Sequence, residues 1–167
     1  MKQPALVIIK PDGISKQLIG NVFTKFDKTG LEIVAIRIAR ASRKLAEEHY
    51  AQLKGRPFFE DVVSYLAGKF HKEKKLLTMI YFGEDAIKKC RKIAGATNPE
   101  DAEPDSVRGS YGRITTAGIF ENVVHVSSDK KEAEREIKLW FEPDDIIVNL
   151  YPTITKVDAS CKKRVWA

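Results

Sequence analysis

The order in which strand-like and helix-like segments follow one another constrains this chain more than any other feature. Apolar, β-branched runs predict strands at 5–10, 31–39, 76–82 and 119–125. Apolar residues recur at helical spacing in 14–26, 45–53, 58–67, 86–94 and 129–141. The resulting order contains the split β-α-β motif. It predicts an α/β (α+β) fold of the ferredoxin-like βαββαβ type, a sandwich whose four-stranded, mainly antiparallel sheet is covered by helices.

Length and cysteine content predict one domain in a reducing compartment. A chain of 167 residues can bury a core without disulfides or a structural metal, so 1–167 is predicted to be a single domain. Cys90 and Cys161 lie far apart and form no C-x-x-C pair, which favours the cytoplasm and argues against a zinc site. The run at 5–9 is too short to span a bilayer, and no signal-peptide pattern precedes it, so we expect no membrane association.

The net charge of +6 suits an anionic ligand such as a nucleotide or a nucleic acid. A solvated basic surface explains the same charge, so charge alone does not separate these functions. In the tail from 142 the signals are weak, and only 146–150 resembles a short extended piece.

His125 is the leading candidate for chemistry. It closes the predicted fourth strand, directly after Val123 and Val124 and shortly before a predicted helix. A histidine at that place can attack or carry a phosphoryl group, although a satisfied core histidine is the plainer alternative. The other two histidines, His49 and His71, lie in segments rich in lysine and glutamate.

Glu136 is the candidate partner of His125. It shares one face of its predicted helix with Ala133 and Trp140, and the apolar neighbours make this the inward face. A buried carboxylate needs a partner, and a hydrogen bond from one ring nitrogen of His125 would leave the other nitrogen free to attack. The alternative is a carboxylate at the edge of the face that reaches water.

Basic and aromatic residues at element ends are candidates for nucleotide binding. Lys10 ends the first strand beside a Pro-Asp-Gly turn, Arg91 follows an apolar helical stripe, and Arg108 lies in the long segment at 96–118. Arginine holds phosphate oxygens in a planar fork, and a transferring phosphoryl group needs such donors. Each residue has an alternative as a surface charge. Of the adjacent rings Phe58 and Phe59, we expect one in the core and one exposed for stacking on a base.

No metal site is predicted from the sequence. Carboxylates are not grouped at ligand spacing, no two histidines are near each other along the chain, and both common phosphate-loop motifs are absent. Magnesium, if used, would enter with the nucleotide phosphates.

Five motifs in chain order carry a family resemblance. They are IKPDG at 9–13, RPFF at 56–59, GATNP at 95–99, VRGSYG at 107–112 and NVVH at 122–125. Together they resemble nucleoside diphosphate kinase over roughly the first 140 residues. The resemblance implies a ping-pong reaction, in which a nucleoside triphosphate such as ATP phosphorylates a histidine and a nucleoside diphosphate then takes the phosphoryl group.

The resemblance also implies roles for individual residues. His125 matches the nucleophile, Glu136 its orienting carboxylate, and Ser127 the serine two residues after the nucleophile. Lys10 matches the lysine at the terminal phosphate and the ribose hydroxyl, and Tyr50 matches the tyrosine near that lysine.

The nucleotide-binding positions follow from the same resemblance. Phe58 matches the ring that stacks on the base, with Ile119 as a candidate for the base's other side. The phosphate-binding and sugar-binding positions match Arg91, Thr97, Arg108 and Asn122. The resemblance further implies Mg²⁺ as cofactor, nucleoside tri- and diphosphates as partners, and a homo-oligomer, either a hexamer or a tetramer.

Some residues depart from the family pattern. Val126 and Ser128 follow the histidine where a small residue and Asp are usual, and Ser110 stands where Asp is usual. Apparent insertions lie near 71–75 and 115–118, and the variable tail at 142–167 is the least family-like part. These departures motivate an alternative, a catalytically weak nucleotide or nucleic-acid binding module on the same fold. A ferredoxin-like RNA-binding module ranks last, because its aromatic strand motif is absent.

Overall fold

The computed structural model describes residues 1–71, 73–157 and 162–166, so Lys72 and Cys161 lie outside the described residues. Its strands are β1 (Lys2–Ile9), β2 (Glu32–Arg40), β3 (Lys75–Glu84), β4 (Arg113–Ile114), β5 (Phe120–Glu121), β6 (Val124–Val126), β7 (Thr153–Val157) and β8 (Lys162–Trp166). Its helices are α1 (Pro11–Ser15), α2 (Ile19–Asp27), α3 (Arg43–His49), α4 (Phe59–Leu66), α5 (Ala86–Ala94), α6 (Val107–Tyr111) and α7 (Lys130–Trp140). Each described helix is too short or too polar to cross a bilayer.

The main sheet has the strand order β2-β3-β1-β6, and each neighbouring pair is antiparallel. This is the strand order of the ferredoxin-like motif, with α3 and α4 inserted between β2 and β3. The predicted fold class is therefore confirmed.

Helices cover both faces of the sheet because β1 is apolar on both sides. Val7 and Ile9 pack under α2 and α5, whereas Leu6 and Ile8 pack under α3, α4 and α7. These β1 side chains are fully buried, and each contributes about 1.5–3 kcal/mol by leaving water. The strand thus lies in the interior of the sheet between its helical layers, and Lys10 directly follows its carboxyl end.

The first predicted helix is wrong in its extent. The segment at 14–26 was expected to form one helix after a Pro-Asp-Gly turn, but Pro11 itself starts α1 at the position where proline is favoured. The helix then stops near Gln17, which adopts φ +58°, and α2 begins at Ile19. Apolar spacing alone does not register this interruption.

The predicted fourth strand is also interrupted. The segment at 119–125 divides into β5, which pairs with β4, and β6, which joins the main sheet. Val123 lies between them with φ +66°. The long segment at 96–118 is more ordered than a loop, because it contains α6, whose first turn is capped by the Ser106 side chain.

The tail prediction at 146–150 is wrong, because no strand forms there within the described residues. Instead β7 and β8 form an antiparallel hairpin further on. Trp166 docks this hairpin on the body through a hydrogen bond from its Nε1 to the carbonyl of Phe141, at 3.0 Å.

Candidate active site

A strained turn before β6 presents the candidate nucleophile. Val123 is β-branched and adopts φ +66°, a conformation that such residues rarely take. The turn is held because the N–H of Val123 donates to Asp12 Oδ2 at 2.9 Å, while its carbonyl accepts from Lys10 N at 2.8 Å. Gly13 allows this approach, since a Cβ there would lie 2.8 Å from Ile9 Cγ2. Asp12 and Gly13 therefore stabilise the turn at Val123. This role was not predicted from the sequence, although the IKPDG motif contains both residues.

The register of β6 decides which way each side chain faces. Val124 pairs with Ile9 and Val126 with Val7, and all four side chains enter the core under α2 and α5. His125 pairs with Ile8 and faces α7 on the opposite side of the sheet. The bulk of Val126 is therefore buried away from the histidine ring.

His125, Glu136 and Ser127 form a connected group, in which Glu136 and Ser127 are buried and His125 is partly buried. His125 Nε2 lies 2.9 Å from Glu136 Oε1, so the predicted hydrogen bond is present. Ser127 Oγ donates to Glu136 Oε2 at 2.6 Å and accepts from Leu6 N at 3.2 Å. Glu136 is only 1% exposed, yet both of its oxygens are bonded. Because Nε2 faces this carboxylate, Nδ1 is the ring nitrogen left for chemistry.

His49 lies inside the molecule although its neighbours along the chain are rich in lysine and glutamate. It is fully buried at the end of α3, and its ring centroid lies 4.4 Å from that of His125. Its Nδ1 accepts from Trp140 Nε1 at 3.2 Å. The helical spacing of Leu45, His49 and Leu53 was the signal that placed it on an inward face. Two histidines far apart in sequence are thus neighbours in space.

Lys10 directly follows β1, and its side chain makes one polar and one aromatic contact. Its Nζ donates to Asn122 Oδ1 and lies 4.5 Å from the centre of the Tyr65 ring. Asn122 in turn donates from Nδ2 to the Thr97 carbonyl at 2.7 Å. Burial lowers the pKa of Lys10 to about 8, although nearby Asp12 acts in the opposite direction. The structure therefore brings Lys10, Asn122 and Thr97 together, as a shared phosphate and sugar site requires.

Arg108 is buried behind the nucleophile strand. Its Nη1 donates to the Gly95 carbonyl at 2.8 Å and its Nη2 to the Val124 carbonyl at 3.0 Å, while Nε has no partner within the described part of the chain. Burial and the neighbouring charge of Arg91 lower its pKa to about 10. Tyr50 is also buried, and burial together with Glu136 raises the pKa of its hydroxyl.

The remaining predicted residues sit nearer the surface. Phe58 precedes α4 and is 48% exposed, while Phe59 packs on the core, as expected for this pair. Arg91 on α5 is exposed, and Ile119 is half-buried in the segment before β5. Phe58 is thus accessible to a flat ligand.

Glu121 is a charged residue that sequence reasoning did not single out. It is 5% exposed and accepts from Lys16 at 2.9 Å and from Arg113. Burial alone would raise its pKa, but these two hydrogen bonds outweigh burial and lower the pKa to about 2. The network ties β5 to the region after α1, next to the turn at Val123.

One side-chain cluster among the described residues could be considered for a metal, namely His49, His125 and Glu136. Their ligand atoms lie within 4.8 Å of one another, and His125 Nε2 is already hydrogen-bonded to Glu136 Oε1 at 2.9 Å. The cluster offers two histidine nitrogens and the Glu136 carboxylate, whose oxygens are already bonded to His125 and Ser127. Magnesium prefers oxygen ligands. The cluster therefore does not fit Mg²⁺.

The fold and the site together define a phosphotransferase with a candidate histidine nucleophile. Residues 3–146 match the family model described as nucleoside diphosphate kinase. A nucleoside diphosphate kinase of Thermococcus kodakarensis is 43% identical over 141 residues, which cover 84% of this chain and 78% of that protein. The chain belongs to the nucleoside diphosphate kinase family.

Solved structures agree with this assignment. The Halobacterium salinarum nucleoside diphosphate kinase in complex with CDP has TM-score 0.79 and 33% identity, covering 89% of this chain and 93% of that one. A transition-state mimic of the Borrelia burgdorferi enzyme with vanadate and ADP has TM-score 0.78 and 28% identity, covering 89% and 92%.

Proposed function

We propose that this chain is a nucleoside diphosphate kinase that moves the γ-phosphoryl group of a nucleoside triphosphate to a nucleoside diphosphate through a phosphohistidine at His125. One observation carries the proposal: the His125 ring is bonded through Nε2 to the buried Glu136, which leaves Nδ1 as a lone-pair nucleophile. Family membership sets the reaction class, and the geometry supports the assignment of the nucleophile.

The two half-reactions balance at this site. Nδ1 of His125 attacks the γ-phosphorus, and an N–P bond forms as the bond to the bridging oxygen breaks. The leaving nucleoside diphosphate takes the electron pair, and the positive charge on the ring is balanced by Glu136. A terminal oxygen of a second nucleoside diphosphate then attacks the same phosphorus. A new O–P bond forms as the N–P bond breaks, and the electron pair returns to Nδ1 and restores the neutral ring.

The charged residues supply the electrostatic part of the transfer. Lys10, Arg91 and Arg108 stabilise the negative oxygens of the transferring group, with Thr97 and Asn122 at the phosphates and sugar. Phe58 stacks on the base without reading its edge, which suits a broad nucleotide range. Magnesium enters as part of the nucleotide substrate, because the described carboxylates at the site are already bonded or buried.

The departures from the family pattern do not touch these groups. Val126 is buried in the opposite core, Ser128 donates to the neighbouring Asp129, and Ser110 donates to the Pro104 carbonyl. These contacts support an active enzyme over a catalytically weak nucleotide or nucleic-acid binding module.

We also propose that the protein is a cytoplasmic homo-oligomer, a hexamer or tetramer, in which 1–167 forms one domain. Ile36 and Ile38 support self-association, since both are more than half exposed on β2, the edge strand of the main sheet. Sedimentation analysis of the full chain tests the oligomer.

A phosphoenzyme trap tests the function. The protein is incubated with γ-labelled ATP and magnesium but without acceptor, and the label is mapped by mass spectrometry. Acid-labile, base-stable label on His125 that discharges onto GDP or CDP is expected. The His125→Ala variant should take no label, whereas His71→Asn, at a histidine outside the site, should be labelled. Nucleotide binding by the wild-type chain without any label would instead favour the binding module.

A further inference from the structure

His49 occupies a place that the proposed phosphoryl transfer does not use. Its ring is fully buried, and it meets the His125 ring at 78° with centroids 4.4 Å apart. This distance is at the short end of the range for packed aromatic rings. A titratable side chain is therefore in direct contact with the proposed nucleophile although it is shielded from substrate.

Trp140 determines the protonation state of His49. Its indole nitrogen lies 3.2 Å from His49 Nδ1, and an indole N–H can only donate. Nδ1 must therefore keep its lone pair, so His49 is neutral with its proton on Nε2. That Nε2 is buried and has no hydrogen-bond partner in the described ranges.

Arg135 on α7 holds the backbone at His49 through hydrogen bonds. Arg135 donates from Nη2 to the His49 carbonyl at 2.8 Å and from Nη1 to the Glu48 carbonyl at 2.7 Å. The next residue, Glu136, is the partner of His125, and Trp140 lies one turn further on. One helix thus holds both histidine rings in a single arrangement.

We propose that His49 is a positioning residue for His125, an inference that rests on the proposed function. One hydrogen bond at Nε2 leaves the His125 ring free to swing about that bond, and the perpendicular His49 ring removes this freedom. Nδ1 then stays directed at the nucleotide. Trp140 keeps His49 uncharged, so it does not oppose the positive charge that phosphoryl transfer places on His125.

The surrounding charges agree with a neutral His49. Titratable or charged groups face or neighbour it from β1, β6, α7 and the end of α3, and they are Lys10, His125, Arg135, Glu136 and Tyr50. Burial lowers the pKa of His49 well below its usual range, and the charges of His125, Arg135 and Lys10 lower it further.

The first test is the rate of phosphoenzyme formation in His49→Gln. Glutamine can still accept from Trp140 but lacks a ring, so the rate should fall about tenfold while KM for MgATP changes less than about twofold. Long-range ¹H–¹⁵N spectra should show one His125 tautomer in the wild type and a mixture in the variant. A wild-type rate and an unchanged His125 spectrum would overturn the proposal.

The second test is the pH profile of the same rate in Trp140→Phe, between pH 5 and 8. Burial still opposes a charged His49 in this variant, but without the indole donor its Nδ1 is free to take a proton, so the acidic limb should move upward. Trp140→Phe combined with His49→Gln should return the limb to its wild-type position. An unmoved limb in a folded Trp140→Phe variant would show that burial alone keeps His49 neutral and would contradict the role given to Trp140. If that variant does not fold, the His49→Gln variant decides.

A matched control is Tyr81→Phe, which removes a buried, unbonded hydroxyl from the opposite core. It shows the effect of a buried aromatic substitution that touches neither histidine ring, and its rate should equal that of the wild type. Failure of the proposed function is distinguishable, because the wild type would then take no label from ATP. The NMR spectra of nucleotide-free protein would still show whether His49 holds the His125 ring.

Discussion

Two layers of the site differ in how well their polar groups are satisfied. The inner layer consists of His125, Glu136, Ser127 and His49, and its carboxylate has both oxygens bonded while almost wholly buried. The outer layer consists of Lys10, Arg91, Arg108, Thr97 and Phe58. There burial holds the pKa of Lys10 and of Arg108 below their usual values, and Phe58 is half exposed.

The difference indicates what each layer does. In the inner layer both oxygens of Glu136 are bonded without substrate, so the nucleophile is oriented before nucleotide arrives. The outer layer contains positively charged side chains whose burial is unfavourable. An anionic phosphate bound beside them would stabilise their charged forms. Perturbing the two layers should therefore produce different kinetic signatures.

The largest effect in the outer layer is expected from Arg108→Ala. Loss of a buried guanidinium at the transferring phosphate should lower kcat/KM by roughly 10²–10³-fold. Arg108 also bonds the Gly95 and Val124 carbonyls, so the melting temperature should fall as well. Arg91→Ala is the matched variant, because Arg91 is exposed and should lose activity with little loss of stability. Equal melting losses in both variants would contradict this separation.

Glu136→Gln tests the inner layer. It keeps the size of the side chain but removes the charge that balances the phosphorylated ring, so the rate of phosphoenzyme formation should fall about ten- to a hundredfold. KM for MgATP should change little, since Glu136 does not face the nucleotide. Rapid-quench measurement of the labelled enzyme checks this, and a change confined to KM would place Glu136 in the outer layer.

The low pKa of Lys10 predicts a pH dependence. Lys10 is protonated below about pH 8 and loses its charge as pH rises through that value, so nucleotide affinity should weaken on the alkaline side. The expected loss is up to about tenfold between pH 7.5 and 9.5. Titration calorimetry with a nucleoside diphosphate checks it, and Lys10→Met should bind weakly at every pH. An affinity independent of pH in the wild type would show that Lys10 does not contact the phosphates.

The smallest effect is expected from Phe58→Leu. Loss of stacking on the base should raise KM roughly fivefold and leave kcat nearly unchanged, at the lower end of the stacking range because the ring is half exposed. Phe70→Leu, at another exposed phenylalanine, is the matched control. If both variants raise KM equally, the base does not stack on Phe58.

Much of the site could be predicted from the sequence, because helical periodicity and short motifs depend only on residues that are close together along the chain. The inward face of α7 placed Glu136 opposite His125, and the structure contains that hydrogen bond. The five motifs indicated the family, which the comparisons confirm. By contrast, the interruptions at Gln17 and Val123 were missed. The positive φ of Val123 is held by long-range bonds to Asp12 and Lys10, and the positive φ of Gln17 belongs to a local turn that apolar spacing does not predict.

The sequence by itself determined the order of the elements, the two-sided burial of β1 and the identity of the groups available for chemistry. These follow from apolar spacing and residue type, which are local properties of the chain. Only the tertiary structure decided that Asp12 holds the turn at Val123, that Val126 faces away from the site, and that His49 lies against His125. Those contacts join residues up to 111 positions apart, so they exist only once the sheet and α7 have packed together.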